Sequence, residues 1–188
     1  MTTVNDLARE FLAQKRIGVV GVSSGRELPA NAIYRLLRER GHEVFAISPH
    51  LDLFDGDPCY GDLASLPGVP DGVVIAARPA VTLAVVQQCI AVGVKRVWMH
   101  DMRGTLPKFA KESGAAQSSV SAEAVQLCRE HGIAVIAGSC PRQFEGDFGH
   151  KCMRWMLQMM GALAAPEAKP EAAPEAQPQE KPQTKIAA

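Results

Sequence analysis

The stretch that decides the fold is Arg16–Arg26, which reads RIGVVGVSSGR. Its first part, Arg16–Val22, combines β-branched apolar residues with glycine, which is typical of a short strand buried on both faces of a parallel sheet. A Gly/Ser turn follows at Ser23–Gly25, and a helical pattern begins at Asn31. Strand, turn and helix in this order form the first half of a βαβ unit. The backbone N–H groups of such a turn and the dipole of the helix both suit a phosphate group.

Strand and helix patterns alternate five times along the chain. This alternation predicts an α/β fold built on a doubly wound parallel sheet of five strands, in the order 3-2-1-4-5. The ligand crevice is then expected over the carboxyl ends of strands 1, 2 and 4. Two segments, 49–71 and 100–119, are predicted to be mostly loop. The predicted strands are Arg16–Val22, Glu43–Ile47, Gly72–Ala77, Lys95–Met99 and Ile133–Ala137, and the predicted helices are Val4–Lys15, Asn31–Arg40, Ala80–Val92, Ser121–His131 and Phe148–Leu163.

The composition of the chain changes near its end, which predicts one domain over 1–163 and a tail over 164–188. Interior prolines exclude a continuous α-helix, and a segment almost without large apolar residues cannot offset the entropy of ordering. We expect a disordered, partly polyproline-like extension that acts as a passive linker or solubility segment rather than as a docking tail. The prolines recur every four residues, at Pro166, Pro170, Pro174, Pro178 and Pro182.

Charge and cysteine content indicate a cytoplasmic protein without nucleic-acid or membrane partners. The 20 Lys and Arg residues balance 20 Asp and Glu residues, which argues against a broad basic surface. No apolar run approaches the roughly 20 residues of a membrane span, and the N-terminus lacks the pattern of a secretory signal. Five cysteines are present without a CxxC pair, as is typical of reduced thiols.

Three groups of residues leave the carboxyl ends of the predicted strands and are the candidate binding residues. They are Gly21-Val22-Ser23-Ser24-Gly25, Ser48-Pro49 and Ala77-Arg78-Pro79. Glycine allows phosphate to approach the backbone, and the two serine hydroxyls add donors. The glycine spacing is GxxGxxxG rather than GxGxxG, so the spacing alone is a weak dinucleotide signal. The alternative is a tight βα turn that binds nothing.

The end of the second predicted strand argues against NAD. A fold that uses NAD has Asp or Glu at this position, where the carboxylate holds the ribose hydroxyls, but here Ser48 occupies it. A phosphorylated ribose is tolerated, because no carboxylate repels it. His50, Arg26 or Arg78 could supply the positive charge.

Short motifs over about Ala13–Cys152 resemble the stand-alone bacterial CoA-binding domain family, which is similar to the CoA-binding domain of the succinyl-CoA synthetase α subunit. The resemblance implies a Rossmann-like fold that binds coenzyme A. It implies that the pyrophosphate lies on the turn that starts at Gly21, with the adenosine near Ser48-Pro49 and Arg78-Pro79, and it adds Met99 to the binding residues. Ser48 departs from the usual Asn, and the loop after His100 is longer than the family's. The motifs are VVGVSS (19–24), SP (48–49), CYGDLASLP (59–67), DGVVIAARPA (71–80), VWM (97–99) and SCP (139–141).

No catalytic set emerges from residue spacing, and the expected function is non-catalytic binding of CoA or an acyl-CoA. The alternatives are an NAD(P)-dependent oxidoreductase and a protein-interaction module with a vestigial pocket. A piece of a CoA ligase is disfavoured because only the proline-rich tail follows the domain. A homodimer is the default expectation. The spacing of His100, Asp101, His150 and Cys152 matches no compact metal motif, so no metal is predicted.

The remaining cysteines and the last helix have plain structural interpretations. Cys89 and Cys128 fall on apolar helix faces and are predicted to be core. Cys140 follows the fifth strand on the ligand side, where an inert turn residue is favoured over a thiol that reacts with CoA. The methionine-rich last helix is predicted to be core or a subunit contact rather than part of a cofactor site.

Overall fold

The computed structural model describes residues 3–102, 118–146 and 148–159. The predicted tail and most of the long connection after His100 therefore lie outside the described residues. The helices are α1 (Val4–Leu12), α2 (Pro29–Glu39), α3 (Pro79–Val92), α4 (Ala122–Glu130), α5 (Arg142–Glu145) and α6 (Phe148–Met159). The strands are β1 (Arg16–Val20), β2 (Glu43–Ile47), β3 (Leu53–Phe54), β4 (Asp57–Tyr60), β5 (Gly72–Ile75), β6 (Arg96–His100) and β7 (Ala134–Ser139).

The described strands form one sheet of seven in the order β3-β4-β2-β1-β5-β6-β7. Every pairing is parallel except that of β3 with β4. The prediction of an α/β fold around a parallel sheet is confirmed. The prediction of five strands in the order 3-2-1-4-5 is wrong. The five strands predicted from the sequence correspond to β1, β2, β5, β6 and β7. They follow the order 2-1-3-4-5, in which the third of them, β5, lies beside β1 instead of outside β2.

A β-hairpin in the segment 49–71, which was predicted to be mostly loop, explains both differences. Its turn is Asp55-Gly56, whose φ angles of 50° and 87° match the type I′ turn that joins two antiparallel strands. The second strand of the hairpin, β4, then pairs in parallel with β2, with Ala46 opposite Cys59. Because β4 occupies the outer edge of β2, the chain returns to the free edge of β1 to place β5.

The observed order moves the expected crevice by one strand. β1 pairs with β2 on one side and with β5 on the other. The chain reverses its direction of travel across the sheet between β1 and β5, which is the point where open α/β sheets bind their ligands. The relevant carboxyl ends are thus those of β1, β2 and β5, which are the first, second and third predicted strands, rather than those of the first, second and fourth.

Helices cover both faces of the sheet, as a doubly wound fold requires. Phe11 of α1 and Ile33, Tyr34 and Leu37 of α2 pack on one face, where Trp98 of β6 contributes the largest buried side chain. The opposite face carries α3 and α4. The buried residues of these two helices are Thr82, Val85, Val86, Cys89, Ala124, Val125 and Cys128. Cys89 and Cys128 are core residues, as predicted.

The last helix, α6, contributes less to the core than expected. Trp155, Met156 and Met159 are exposed by 62%, 49% and 70%. A core role is therefore wrong for these three residues, and the alternative of a subunit contact stays a prediction. Among the described helices, none combines the length and the apolar character needed to cross a membrane.

Candidate functional site

The three groups of candidate binding residues meet at the carboxyl end of β1. The Gly21 N–H donates to the Ile47 carbonyl at 3.1 Å, and the Ala76 N–H donates to the Val20 carbonyl at 3.0 Å. These bonds extend the ladders of β1 with β2 and with β5 by one step each. The loop 21–27 therefore begins between Ser48-Pro49 on one side and Arg78-Pro79 on the other. This arrangement agrees with the sequence prediction that the three groups lie together. We call the surface formed by residues 21–27, 48–50 and 77–79 the rim.

In the loop after β1, some backbone N–H groups are hydrogen-bonded within the protein and others are not. Gly21 donates to Ile47, and the Ser23 N–H donates to Asn31 Oδ1 at 3.0 Å. The N–H groups of Val22, Ser24, Gly25 and Arg26 find no acceptor among the described residues. Ser24, Gly25 and Arg26 are exposed. Backbone donors of this kind, adjacent in a loop, form a concave site suited to an anion.

Gly21 and Gly25 have different roles. Gly21 has a φ of +105°, and a Cβ there would lie 2.7 Å from the carbonyl oxygen of Ala76. Only glycine fits this position, because the turn passes directly against the backbone after β5. A Cβ at Gly25 would have no neighbouring protein atom within 4 Å. The fold does not require glycine at this position, and the missing side chain leaves the loop backbone uncovered there.

A groove of about 330 Å³ runs along the loop. One wall is the loop from Ser23 to Glu27, and the other is formed by Leu53–Asp55 at the tip of the hairpin. Arg35 joins the two walls, since its guanidinium lies 2.9 Å from a Glu27 oxygen and 2.6 Å from an Asp55 oxygen. Hydrogen bonding to Arg35 lowers the pKa of the Asp55 carboxyl below its usual value. The pair of carboxylates is thus partly neutralised by the cation between them.

Basic side chains are exposed at the rim. Arg26, His50 and Arg78 are exposed, and in the described part of the chain none of the three forms an ion pair. The end of β2 carries no carboxylate: Ser48 is buried and donates its N–H to the Tyr60 carbonyl at 2.9 Å. The rim therefore offers cations to an anionic ligand and lacks the acid that an NAD site uses.

Two of the residues singled out from the sequence lie away from the open rim. Met99 is fully buried on β6 within the core on the α3 side of the sheet, so the structure does not bring its side chain to the loop. Cys140 follows β7 and is 1% exposed, and burial raises the pKa of its thiol to about 11. A thiol that stays protonated at neutral pH is a poor nucleophile.

Asn31, Arg35 and Asp55 shape the site and were not among the predicted binding residues. Asn31 lies in the first turn of α2 and is 2% exposed. The signal that could have found it is its chemistry, because a polar amide between apolar helix residues must bond to nearby backbone when it is buried. Asp55 lies in an Asp-Gly hairpin turn, a pattern that the sequence analysis did not use.

A second groove of about 380 Å³ lies elsewhere on the surface, lined by α1 and the last two helices. Arg9 and Arg154 border it, but Arg9 pairs with Asp6 and Arg154 stacks on the Phe144 ring. This groove is larger than the one beside the loop, yet none of its lining residues belongs to the carboxyl ends of β1, β2 and β5, where the sheet reverses its order. Within the ranges that the structure describes, no cluster of three His, Cys, Asp or Glu residues is placed to hold a metal ion.

Comparison with known proteins identifies the region that contains this rim. Residues 15–143 match the family described as "CoA binding domain", which is more than half of the chain. A curated relative is the acetate–CoA ligase [ADP-forming] I of Archaeoglobus fulgidus, which is 25% identical over 128 residues. The match covers 67% of this chain but only 18% of the ligase. The chain therefore corresponds to a small part of that enzyme.

Solved structures are similar to this chain either over nearly their whole length or over a part of a larger enzyme. A hypothetical protein from Pyrococcus horikoshii OT3 is 26% identical, with a TM-score of 0.63 over 76% of this chain and 92% of its own. The dinucleotide forming acetyl-coenzyme A synthetase 1 of Ca. Korarchaeum cryptofilum, solved with phosphate and ADP, is 29% identical with a TM-score of 0.54. That match covers 71% of this chain and 27% of the synthetase chain.

Proposed function

The chain belongs to the CoA-binding domain family, and from that membership we propose that it binds coenzyme A or an acyl-CoA at the rim formed by β1, β2 and β5. The observation that carries the proposal is that four backbone N–H groups of the loop 21–27 have no acceptor in the described structure. They belong to Val22, Ser24, Gly25 and Arg26. Phosphate is the part of CoA that such a loop suits. The pyrophosphate would lie against the loop, and the adenosine part would lie near Ser48-Pro49 and Arg78-Pro79.

Charge at the rim supports CoA over NAD. The 3′-phosphate of CoA adds negative charge to the ribose, and the exposed Arg26 and Arg78 are the described cations nearest in sequence to the loop and to the end of β5. At the end of β2, Ser48 leaves no carboxylate to repel that phosphate. No finding supports the oxidoreductase alternative, whose ribose-binding acid is missing at this position.

The role we propose is binding without catalysis. The enzymes to which this chain is similar contain the matched region as a fraction of their length, 18% of the ligase and 27% of the synthetase. Their names describe what those whole proteins do. In this chain the rim contributes backbone donors, hydroxyls, guanidinium groups and the His50 imidazole. No hydrogen bond among the described residues joins that imidazole to a hydroxyl, as a base paired with a nucleophile requires.

Calorimetric titration of the full chain with CoA, acetyl-CoA, NAD⁺ and NADP⁺ tests the proposal. We expect CoA and acetyl-CoA to bind and NAD⁺ to bind at least tenfold more weakly. Binding of NAD⁺ or NADP⁺ without binding of CoA would overturn the proposal. Absence of binding by all four ligands would favour an interaction module whose pocket is vestigial.

The non-catalytic role has its own test. Acetyl-CoA incubated with the protein, with and without ADP and phosphate, should remain intact when the mixture is followed by chromatography. Turnover above the buffer blank that depends on the folded protein would contradict this role while leaving CoA binding in place.

We further propose that the chain forms a homodimer. A molar mass of one chain, measured by light scattering, would contradict this proposal.

A further inference from the structure

A single buried amide side chain determines the shape of the loop. Asn31 Oδ1 accepts the Ser23 N–H at 3.0 Å, and Asn31 Nδ2 donates to the Ser23 carbonyl at 2.8 Å. The same Nδ2 donates to the Arg26 carbonyl at 3.2 Å. Both the acceptor and the donor of the carboxamide are used, so its orientation is fixed by its partners. Asn31 thus bonds to both ends of the loop from one point on α2.

These bonds decide which backbone groups remain for a ligand. Because Asn31 takes the Ser23 N–H, the first exposed donor of the loop is the Ser24 N–H. Because it also holds the carbonyls of Ser23 and Arg26, the backbone between these residues is fixed at both ends. The intervening N–H groups of Ser24 and Gly25, and that of Arg26, are left without acceptors in the described structure.

The first turn of α2 offers few backbone donors to a ligand. Pro29, the first residue of the helix, has no N–H. The Asn31 N–H is bonded to the Leu28 carbonyl at 3.0 Å. The helix terminus therefore presents few free donors of its own, and the loop ahead of it must supply the others.

We propose that Asn31 is a positioning residue for phosphate binding: it holds the loop in the conformation that presents the N–H groups of Ser24, Gly25 and Arg26 to the phosphates of CoA. The inference rests on the proposed CoA site. Asn31 is 2% exposed and acts through the loop rather than as a ligand contact. Fixing the loop before binding removes the entropy of ordering it from the free energy of association.

Asn31→Ala, with Gln143→Ala as its matched control, tests this role. Gln143 is also a fully buried carboxamide that joins two backbone groups, accepting the Cys140 N–H at 3.1 Å and donating to the Met102 carbonyl at 2.9 Å. We expect both variants to melt at a lower temperature than the wild type. Only Asn31→Ala should bind CoA at least tenfold more weakly by calorimetry. Equal loss of affinity in both variants, or unchanged affinity in folded Asn31→Ala, would overturn the inference.

A measurement on the wild type keeps the test independent of whether the variant folds. Residue-resolved amide hydrogen exchange should show the Ser23 N–H protected in the free protein, because Asn31 already accepts it. The amides of Ser24, Gly25 and Arg26 should become protected only when CoA is added. Saturation with CoA that leaves these three amides unchanged would overturn the inference while the proposed function stands. Failure of the wild type to bind CoA at all would overturn both.

Discussion

The α-carbon of Gly21 lies directly against the backbone of Ala76, so that a Cβ at Gly21 would stand 2.7 Å from the Ala76 carbonyl oxygen. This contact joins the loop after β1 to the chain leaving β5. Substitution of Gly21 would therefore disturb the fold before it affected any ligand. A test of the loop must use a glycine that the protein itself does not need.

Gly25 is that glycine, and Gly25→Ala should weaken CoA binding without lowering stability. A Cβ at Gly25 would have no neighbouring protein atom within 4 Å, so the added methyl group would clash only with the phosphate that we propose on the loop. We expect at least about a tenfold loss of affinity, or about 1.4 kcal/mol, by calorimetry. The control is Gly61→Ala, which is equally open but lies outside the loop and the groove. An affinity for Gly25→Ala equal to that of Gly61→Ala would show that the ligand does not approach Gly25.

Arg26→Gln and Arg78→Gln should each weaken CoA binding by about threefold or more and reduce its dependence on salt. Both guanidinium groups are exposed cations at the rim, so their attraction for phosphate is screened as ionic strength rises. Titration at low and high salt measures both effects. Arg9→Gln is the control, since Arg9 borders the larger groove on α1. Greater loss of CoA affinity in Arg9→Gln than in the rim variants would place the ligand in that other groove.

Cys140 should make the protein less stable at alkaline pH. Burial raises the pKa of its thiol from 9.0 to about 11, so the folded state keeps a proton that the unfolded chain loses. The contribution of the protonated Cys140 thiol to the free energy of unfolding is fully present below pH 9. Above that pH it falls by about 1.4 kcal/mol for each pH unit, until the pH reaches the pKa of the thiol in the folded protein.

Denaturant unfolding of Cys140→Ala between pH 8 and pH 11 checks this linkage. The difference in unfolding free energy between wild type and Cys140→Ala should shrink as the pH rises, by an amount on the order of 2 kcal/mol. Parallel pH profiles for wild type and Cys140→Ala would contradict the prediction.

Tyr34→Phe should lower the free energy of unfolding by about 1.5 kcal/mol. Tyr34 is fully buried in α2, and its hydroxyl donates to Asp57 Oδ2 of β4 at 2.7 Å. A hydrogen bond to a charged group contributes about 1.5–3 kcal/mol, and Asp57 keeps its ion pair with Arg38 in the variant. Tyr60→Phe, the control, removes a hydroxyl that has no hydrogen bond to a described residue. Equal stability of the two variants would show that the Tyr34 bond contributes nothing.

The sequence was sufficient for the parts of the fold that local pattern controls. The buried strand β1 begins at Arg16 and α3 ends at Val92, as the pattern predicted, and Gly93 after that helix adopts a left-handed φ of 86°. The convergence of the loop with Ser48 and Arg78 also followed from a general rule, since the carboxyl ends of parallel strands share one edge.

Strand order and the interior of the site required more than local pattern. The order depends on which edge of β2 is free, and the hairpin that covers this edge was masked in the sequence by its short strands and many polar residues. Only the Asp55-Gly56 pair indicated it. Asn31 was missed for a similar reason: a polar residue near a helix start resembles a cap, and its bonds to Ser23 and Arg26 exist only once the loop has folded back onto α2.

The two-residue length of β3 affects how the sheet can meet other chains. An edge strand with unpaired backbone groups can act as a template for a strand of another molecule. At this edge the outermost strand is only Leu53–Phe54, and the turn that follows it carries the Asp55 carboxylate. The edge is too short to support a continuous ladder with a second chain. The hairpin therefore also protects this side of the molecule against aggregation by strand addition.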